Sequence, residues 1–330
     1  LAVLSVEGGG GRLPSAAPHP HPPLGEPLVV SSAPFGALCP ALFHRSVTTG
    51  VCASATKDGA LFLTDARCLP GSEGGLVATA SGDWAGVVAP SLRLAFPRVG
   101  TDPAPGLTPV LPAGEVLAAV CHVSPPKPPQ SVLPSAWETP PGLVAVVCCR
   151  GRWGTGILFR AGTSCRVLTA GHVVDGVSTV RVGAVSAGAW VWEAGDVVSF
   201  PHDHTLDVGL VSVPTPATPV VAPRPCSSAQ GDAVYAVGFP YFDPRQEPHP
   251  VVSKGVVSSI ACGEDGGPLI LTTTCAIHPG MSGGGLFTPT GGFMGTIISR
   301  AHIQGVGDAA HLNYVLPAAV TAPLIAASRK

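Results

Sequence analysis

The chain has 330 residues, 45% of them hydrophobic, so it is long enough to bury a large core in two domains or in one extended all-β domain. Charged residues make up only 12%, and a formal net charge of -2 leaves no basic face for nucleic acid. The 42 glycines and 37 prolines disfavour long helices and favour short strands joined by turns. No apolar run approaches the roughly 20 residues of a membrane-spanning helix, so no membrane span is expected.

The N-terminal part of the chain divides into three predicted segments. Residues 1–27 are rich in glycine, proline and histidine and indicate a flexible leader. Residues 28–99 contain short apolar runs separated by turn residues, and these runs predict strands. Residues 100–141 contain many prolines and predict a linker, although the apolar run 116–120 is also compatible with one strand.

The rest of the chain, residues 142–330, is predicted to be a separate antiparallel β domain. Strand-like runs recur about every ten residues there, which is typical of a sandwich or barrel. The runs are 144–149, 156–159, 167–169, 179–182, 197–200, 208–213, 233–237, 255–260, 269–272 and 295–299. Residues 317–328 are rich in alanine and predict a short C-terminal helix that begins at Pro317.

The ten cysteines are irregularly spaced, with one adjacent pair at Cys148 and Cys149 and no C-x-x-C motif. Zinc sites have paired ligands at short fixed spacing, so no metal site and no cofactor are expected. The chain starts without methionine, which suggests a missing N-terminus, and its first residues lack the features of a signal peptide. A reducing compartment is therefore expected, with most cysteines as free thiols in the core.

Two stretches of the chain match when the sequence is shifted by 209 residues. Residues 61–86 then align with 270–295, and in both stretches a P-G-x-x-G-G block precedes an apolar strand led by glycine. The ordered block indicates a common structural origin. Glu73 stands in the first copy where Ser282 stands in the second.

Three separated segments place His172, Asp207 and Ser282 in chain order. The histidine ends an apolar strand, the aspartate enters another, and the serine lies in a glycine-rich turn. A serine hydroxyl needs an imidazole to accept its proton, and that imidazole needs a carboxylate to fix its tautomer. The backbone N–H groups of Gly280 and Ser282 are expected to form an oxyanion hole, with glycine permitting the backbone conformation.

Asp203 is an alternative acid for this set of residues. It lies between His202 and His204 in a polar turn and has no apolar strand directly after it, so Asp207 is favoured. The two flanking histidines are expected to be solvated loop residues.

With these motifs the chain resembles the chymotrypsin-like serine proteases, and Gly154-Thr155-Gly156 resembles the HtrA/Deg branch. The resemblance covers roughly residues 142–320 and implies an all-β, double-barrel trypsin-like serine protease domain. A closer similarity, carried by residues 33–36, 63–71, 274–276 and 311–313, is to the peroxisomal proteases that process leader peptides. That similarity extends into residues 28–99, which are interpreted as a degenerate protease-like half-domain.

The resemblance implies a serine endopeptidase of the peroxisome matrix. Members of that family remove N-terminal targeting presequences from imported proteins, process β-oxidation enzymes, commonly cut next to cysteine, cleave themselves and self-associate. This chain ends Ser328-Arg329-Lys330 instead of in the usual Ser-Lys-Leu-like import signal, and its beginning is short for the family. It is therefore interpreted as a fragment.

The resemblance also implies a specificity pocket for the residue before the scissile bond. Its expected walls are Cys275, Ala276 and Ile277, then Ser299, Arg300 and Ala301, then His311, Leu312 and Asn313. No acid occupies the pocket floor, so a small or soft side chain such as cysteine is favoured over Lys or Arg. His311 and Asn313 are candidate polar contacts, and for His311 packing at the rim is an equal alternative.

Two other functions stay open at this stage. One is a generic HtrA/Deg-type quality-control protease. The other is a non-catalytic protease-like binding module, which predicts a broken triad. In the first copy of the repeat Glu73 has no histidine partner upstream, so that copy is expected to be a scaffold or a surface for homo-oligomer formation.

Overall fold

The computed structural model describes residues 19, 21–35, 46–56, 58–90, 106–121, 143–148, 151–161, 164–186, 189–198, 206–214, 226, 229–241, 243–245, 250–303 and 307–327. The chain divides into two compact units, unit 1 (Leu1–Trp137) and unit 2 (Glu138–Lys330).

The described residues of unit 1 form six antiparallel strands and one helix. They are β1 (Pro27–Ser32), β2 (Ser46–Ala55), β3 (Phe62–Thr64), β4 (Leu76–Thr79), β5 (Trp84–Val88), β6 (Thr108–Pro112) and α1 (Ala113–Cys121). The strands close into a barrel in the order β1-β2-β3-β6-β5-β4. Alternate residues point inward, as the two-residue period of a strand requires, so Leu28 and Val30 are buried in a core that also contains Phe62 and Val110.

The linker prediction for residues 100–141 is wrong for Thr108–Pro112 and Ala113–Cys121. β6 pairs with β3 and with β5, and so closes the barrel. The run 116–120 lies in α1 and forms no strand. The helix buries Ala113 and Ala118 on one face. Residues 122–141 lie outside the described part of the chain.

Unit 2 contains two further barrels. The first is built from β7 (Leu143–Cys148), β8 (Trp153–Ala161), β9 (Ser164–Thr169), β10 (Thr179–Ser186), β11 (Ala189–Val198) and β12 (Gly209–Val213), with the short helix α2 (Gly171–Val174) after β9. The second is built from β13 (Ala233–Gly238), β14 (Val251–Cys262), β15 (Pro268–Thr273), β16 (Gly285–Phe287), β17 (Phe293–Ile303) and β18 (Gly307–Pro317), followed by α3 (Ala318–Ala327).

All three barrels have the same strand order around the ring. The predicted all-β fold with a chymotrypsin-like double barrel and a short C-terminal helix is confirmed. The described residues contain only three short helices. The C-terminal helix begins at Ala318, because Pro317 ends β18 and pairs with Gly295 in the sheet.

The sequence repeat is also a structural repeat. β3, β4 and β5 of unit 1 correspond to β15, β16 and β17 of unit 2. The hydroxyl of Thr64 accepts the N–H of Ala66 at 3.1 Å, and at the matching positions the hydroxyl of Thr273 accepts the N–H of Cys275 at 3.2 Å. The turn of the P-G-x-x-G-G block is closed in the same way in both copies. The N–H of Gly75 donates to the carbonyl of Ser72 at 2.9 Å, and at the matching positions the N–H of Gly284 donates to that of Met281 at 2.9 Å.

Cys52, Cys165 and Cys275 are buried. Burial, together with the charges of Asp65 and Glu26, raises the pKa of the Cys52 thiol. Cys121, Cys226 and Cys262 are exposed, so the expectation of cysteines in the core is wrong for these three. The described residues form no cluster suited to a metal ion, and none of their helices is long and apolar enough to cross a membrane.

Candidate active site

His172 and Asp207 are brought together by the pairing of β9 with β12. Gly209 pairs with Thr169, so the start of β12 lies beside the end of β9, where α2 begins. His172 donates its backbone N–H to Oδ1 of Asp207 at 2.7 Å, and its ring Nδ1 lies 2.7 Å from Oδ2. Both carboxylate oxygens are thus bonded to one residue, and Nε2 is the ring nitrogen left for proton transfer.

The carboxyl group of Asp207 stays ionised in this arrangement. Burial alone raises the pKa of Asp207, but the hydrogen bonds from the His172 ring and backbone, with the charge of that ring, outweigh burial and lower the pKa. Gly171 leaves room for this contact, since a Cβ there would lie 2.9 Å from Oδ1 of Asp207. The negative carboxylate fixes the ring orientation and stabilises an imidazolium.

Ser282 lies in the tight turn between β15 and β16. Gly280 and Gly283 flank it with φ of 98° and 85°, in the left-handed region that favours glycine. The turn is closed by the N–H of Met281 on the carbonyl of His278 at 3.0 Å and the N–H of Gly284 on that of Met281 at 2.9 Å. A Cβ on Gly280 would lie 2.4 Å from the carbonyl oxygen of Phe239 and 2.6 Å from Nε1 of Trp153, so only glycine fits there.

The two barrels of unit 2 meet at this turn. The N–H of Thr155 in β8 donates to the carbonyl of Ser282 at 2.8 Å. A Cβ on Gly154 would lie 2.6 Å from Val173 and 2.9 Å from the carbonyl of Ser282, which places the serine backbone beside the residue after His172. Among the described hydrogen bonds there is none from the Ser282 hydroxyl to the His172 ring. Such bonds often tighten only when substrate is bound.

The expected specificity residues have different surroundings. The Cys275 side chain is fully buried in the core of the second barrel, with its thiol 3.8 Å from the carbonyl of Val234, so it does not line a pocket. Ala276 and Ile277 are each 6% exposed. Asn313 is buried and donates its amide to the carbonyl of Cys275 at 2.7 Å, which ties β18 to this segment. The side chains of Ser299 and His311 lie outside the described part, as do residues 202–204 with the alternative acid Asp203.

Sequence reasoning missed several residues that hold the serine turn. Thr155 was recognised from the sequence only as part of the Gly-Thr-Gly motif, yet its hydroxyl donates to the carbonyl of Gly280 at 2.8 Å. Trp153 donates its ring N–H to the carbonyl of Phe239 at 3.1 Å. Tyr241 and His278 form a buried pair with 2.6 Å between Oη and Nδ1. The Gly-Thr-Gly motif was the one sequence signal that pointed to any of them.

Residues 154–295, a span that includes His172, Asp207 and Ser282, match the family described as the trypsin-like peptidase domain. The match begins in β8 and ends in β17, so it lies within unit 2.

Two curated relatives are similar to most of this chain. The peroxisomal leader peptide-processing protease of Mus musculus is 33% identical over 322 residues, covering 91% of this chain and 55% of the mouse protein. The protein of the same name from Homo sapiens is 32% identical over 365 residues, covering 98% of this chain and 59% of the human protein. The chain therefore spans somewhat more than half the length of these relatives.

Among solved structures, the crystal structure of Deg5 is similar to the chain with a TM-score of 0.44 and 20% identity. The match covers 56% of this chain and 87% of the Deg5 chain.

Proposed function

We propose that this chain is a serine endopeptidase that cleaves peptide bonds through an acyl-enzyme formed on Ser282. The observation that carries the proposal is the double hydrogen bond between His172 and Asp207 beside a serine turn with left-handed Gly280 and Gly283. The match of residues 154–295 to the trypsin-like peptidase domain supports it.

In the proposed mechanism, Oγ of Ser282 attacks the scissile carbonyl carbon while Nε2 of His172 accepts the hydroxyl proton. Asp207 stays a carboxylate and stabilises the imidazolium through the Nδ1 contact of 2.7 Å. The N–H groups of Gly280 and Ser282 stabilise the oxyanion. The imidazolium then protonates the departing amine, and water, activated by the same ring, hydrolyses the acyl-enzyme.

The decisive experiment is Ser282→Ala, assayed on a protein substrate that carries an N-terminal presequence. Cleavage is expected to fall by about 10³-fold or more, because the nucleophile is removed while the turn is kept. A matched control is Ser81→Ala, an exposed serine on unit 1. Undiminished cleavage by the Ser282 variant rejects the mechanism and favours a non-catalytic binding module.

For the substrate, we propose removal of N-terminal targeting presequences in the peroxisome matrix and processing of β-oxidation enzymes. The names of the mouse and human relatives support a leader-peptide substrate and a peroxisomal location. A generic quality-control protease is the alternative. It predicts cleavage of unfolded proteins without presequences at rates similar to those of presequence-bearing substrates.

The proposed specificity is for a small or soft residue, such as cysteine, before the scissile bond. Ala276 and Ile277 are apolar, and among the described wall residues there is no acid to pair with Lys or Arg. A peptide series that differs only at this residue tests the proposal through kcat/KM. Cysteine is expected to exceed arginine, and the reverse order overturns the assignment.

A further inference from the structure

The N–H of Gly280 can donate a hydrogen bond to an oxyanion only if the Pro279–Gly280 peptide is oriented with that N–H toward the substrate. The N–H of Tyr241 donates to the carbonyl of Pro279 at 3.0 Å. In a trans peptide the C=O and the N–H point in opposite directions, and no described peptide is cis. Holding the Pro279 carbonyl toward Tyr241 therefore turns the Gly280 N–H to the other side of the loop.

Thr155 fixes the next peptide of the same loop. Its hydroxyl donates to the carbonyl of Gly280 at 2.8 Å and accepts the N–H of Phe239 at 2.9 Å. Thr155 is fully buried, and its backbone N–H also bonds to the carbonyl of Ser282. Both peptide planes that flank Gly280 are thus held by hydrogen bonds from outside the loop.

Tyr241 makes its bond from a costly backbone conformation. Its φ is 60°, which is rare for a bulky residue and persists only where the surroundings hold it. Here the tyrosine hydroxyl lies 2.6 Å from Nδ1 of His278, and the two rings pack with centroids 4.8 Å apart. Both residues are less than a tenth exposed.

Unit 1 contains a matching turn, and there the carboxylate of Glu73 accepts the N–H of the glycine. Phe35 has φ of 52° and donates its N–H to the carbonyl of Pro70 at 3.3 Å, as Tyr241 does to Pro279. Gly71, which matches Gly280, has φ of 89° and donates its N–H to Oε2 of Glu73 at 2.9 Å. A loop turned in this way therefore presents its glycine N–H to a carboxylate oxygen.

We propose that Thr155 and the Tyr241–His278 pair are positioning residues that hold the oxyanion hole formed before substrate binds. Their effect on the reaction goes through the orientation of the Gly280 N–H, and none of them contacts the reacting atoms. The proposal rests on the proposed protease function for its kinetic consequence, but the orientation of the loop can be measured without substrate.

The kinetic test compares Thr155→Val, which keeps the shape and removes the hydroxyl, with Thr155→Ser, which keeps the hydroxyl. The valine variant is expected to lose about 10- to 100-fold in kcat with KM changed by less than about threefold, because a misplaced oxyanion donor weakens transition-state binding. The serine variant is expected to stay within about threefold of wild type. Equal kcat for valine and wild type overturns the role of Thr155.

Tyr241→Phe tests the pair independently and removes the hydroxyl that bonds to His278. It is expected to lower kcat about 3- to 10-fold at nearly constant KM, and an unchanged kcat overturns the role of the pair. A rise in KM that matches or exceeds the fall in kcat, in either variant, shows a role in substrate binding and also counts against the proposal.

The amide NMR signals of Gly280 and Gly71 in substrate-free protein separate this proposal from the proposed function. In Thr155→Val the Gly280 amide is expected to shift or broaden, while the Gly71 amide, in unit 1, stays unchanged. If wild type cleaves no peptide, the protease proposal fails, yet the Gly280 signal still decides whether Thr155 holds the loop. An unperturbed Gly280 signal overturns that claim.

Discussion

His172 bonds to both carboxylate oxygens of Asp207. The bond from the backbone N–H fixes the position of His172, and the Nδ1 contact fixes the orientation of its imidazole ring. His172, Asp207 and Ser282 and their chain order were readable from the sequence, because each of them stands in a recognisable local motif. Tyr241 was not readable, since a positive φ at a tyrosine arises from tertiary contacts that no local pattern encodes.

Asp207→Asn is expected to lower kcat by about 10³- to 10⁴-fold, because an amide favours the wrong imidazole tautomer and stabilises no imidazolium. Steady-state kinetics on a presequence-derived peptide measures the loss. Asp203→Asn is the matched control and is expected to keep kcat within about twofold of wild type. If the Asp203 variant loses activity and the Asp207 variant keeps it, the acid has been assigned to the wrong residue.

The pH dependence of stability provides a second test of this carboxylate. Because the folded-state pKa of Asp207 is lowered, its ionised form contributes stability that is fully present above the unfolded value of about 3.9 and is lost as pH falls through the folded pKa. Between about pH 6 and pH 2.5, wild type is expected to lose more unfolding free energy than Asp207→Asn. Urea denaturation at each pH measures this, and parallel curves contradict it.

At the scale of elements, the glycine-rich turn before β4 and before β16 is one structure in two settings. Gly74 and Gly283 have φ of 83° and 85°. A Cβ on Gly74 has no atom within 4 Å, whereas on Gly283 it would lie 2.1 Å from the carbonyl oxygen of Thr155 and 2.3 Å from the hydroxyl of Thr169. The difference arises because β8 and β9 of the neighbouring barrel pack against the turn before β16.

Gly74→Ala and Gly283→Ala form a matched pair. The first is expected to destabilise unit 1 by about 1–2 kcal/mol, the cost of a left-handed alanine, and to leave cleavage unchanged. The second is expected to cost about 3 kcal/mol or more in unit 2 and to abolish cleavage, because a backbone oxygen must move. Chemical denaturation and peptide cleavage measure the two effects. Equal costs for both variants contradict the close contact at Gly283.

Strand prediction succeeded where apolar runs were continuous and failed where they were broken. β12 and β13 match their predicted runs, and each has buried residues on successive positions. β6 was missed because Pro109 and Pro112 gave its segment the composition of a linker. β16 is too short for a periodic signal, with only three residues. These short strands are specified by barrel closure, which the local sequence does not record.

At the scale of the whole molecule, His172, Asp207, Ser282 and the residues that hold the serine turn all lie in unit 2. The repeat predicted that unit 1 is built like part of a protease, and its strand order agrees with that of the second barrel of unit 2. The boundary between the units was not predictable from proline content, because β6 and α1 extend unit 1 into the proline-rich segment.

A protein consisting of residues 138–330 is expected to keep kcat/KM within about threefold of the whole chain on short peptides, because it contains every proposed catalytic residue. We also propose that unit 1 mediates self-association. The whole chain is then expected to be larger than a monomer in light scattering, and the truncated protein to be monomeric. If the whole chain and the truncated protein have the same oligomeric state, unit 1 does not mediate self-association.

The carboxylate of Glu73 on the Gly71 N–H has a consequence for the release of product. Hydrolysis leaves a new C-terminal carboxylate on the departing peptide, the same chemical group that the matching turn of unit 1 already binds. A peptide that ends in the cleaved residue with a free carboxylate is therefore expected to inhibit the enzyme more strongly than the same peptide ending in an amide. Inhibition constants for the two peptides measure this, and equal values contradict it. Turnover at high substrate conversion is then governed by how readily the turn at Gly280 releases the carboxylate that the reaction creates.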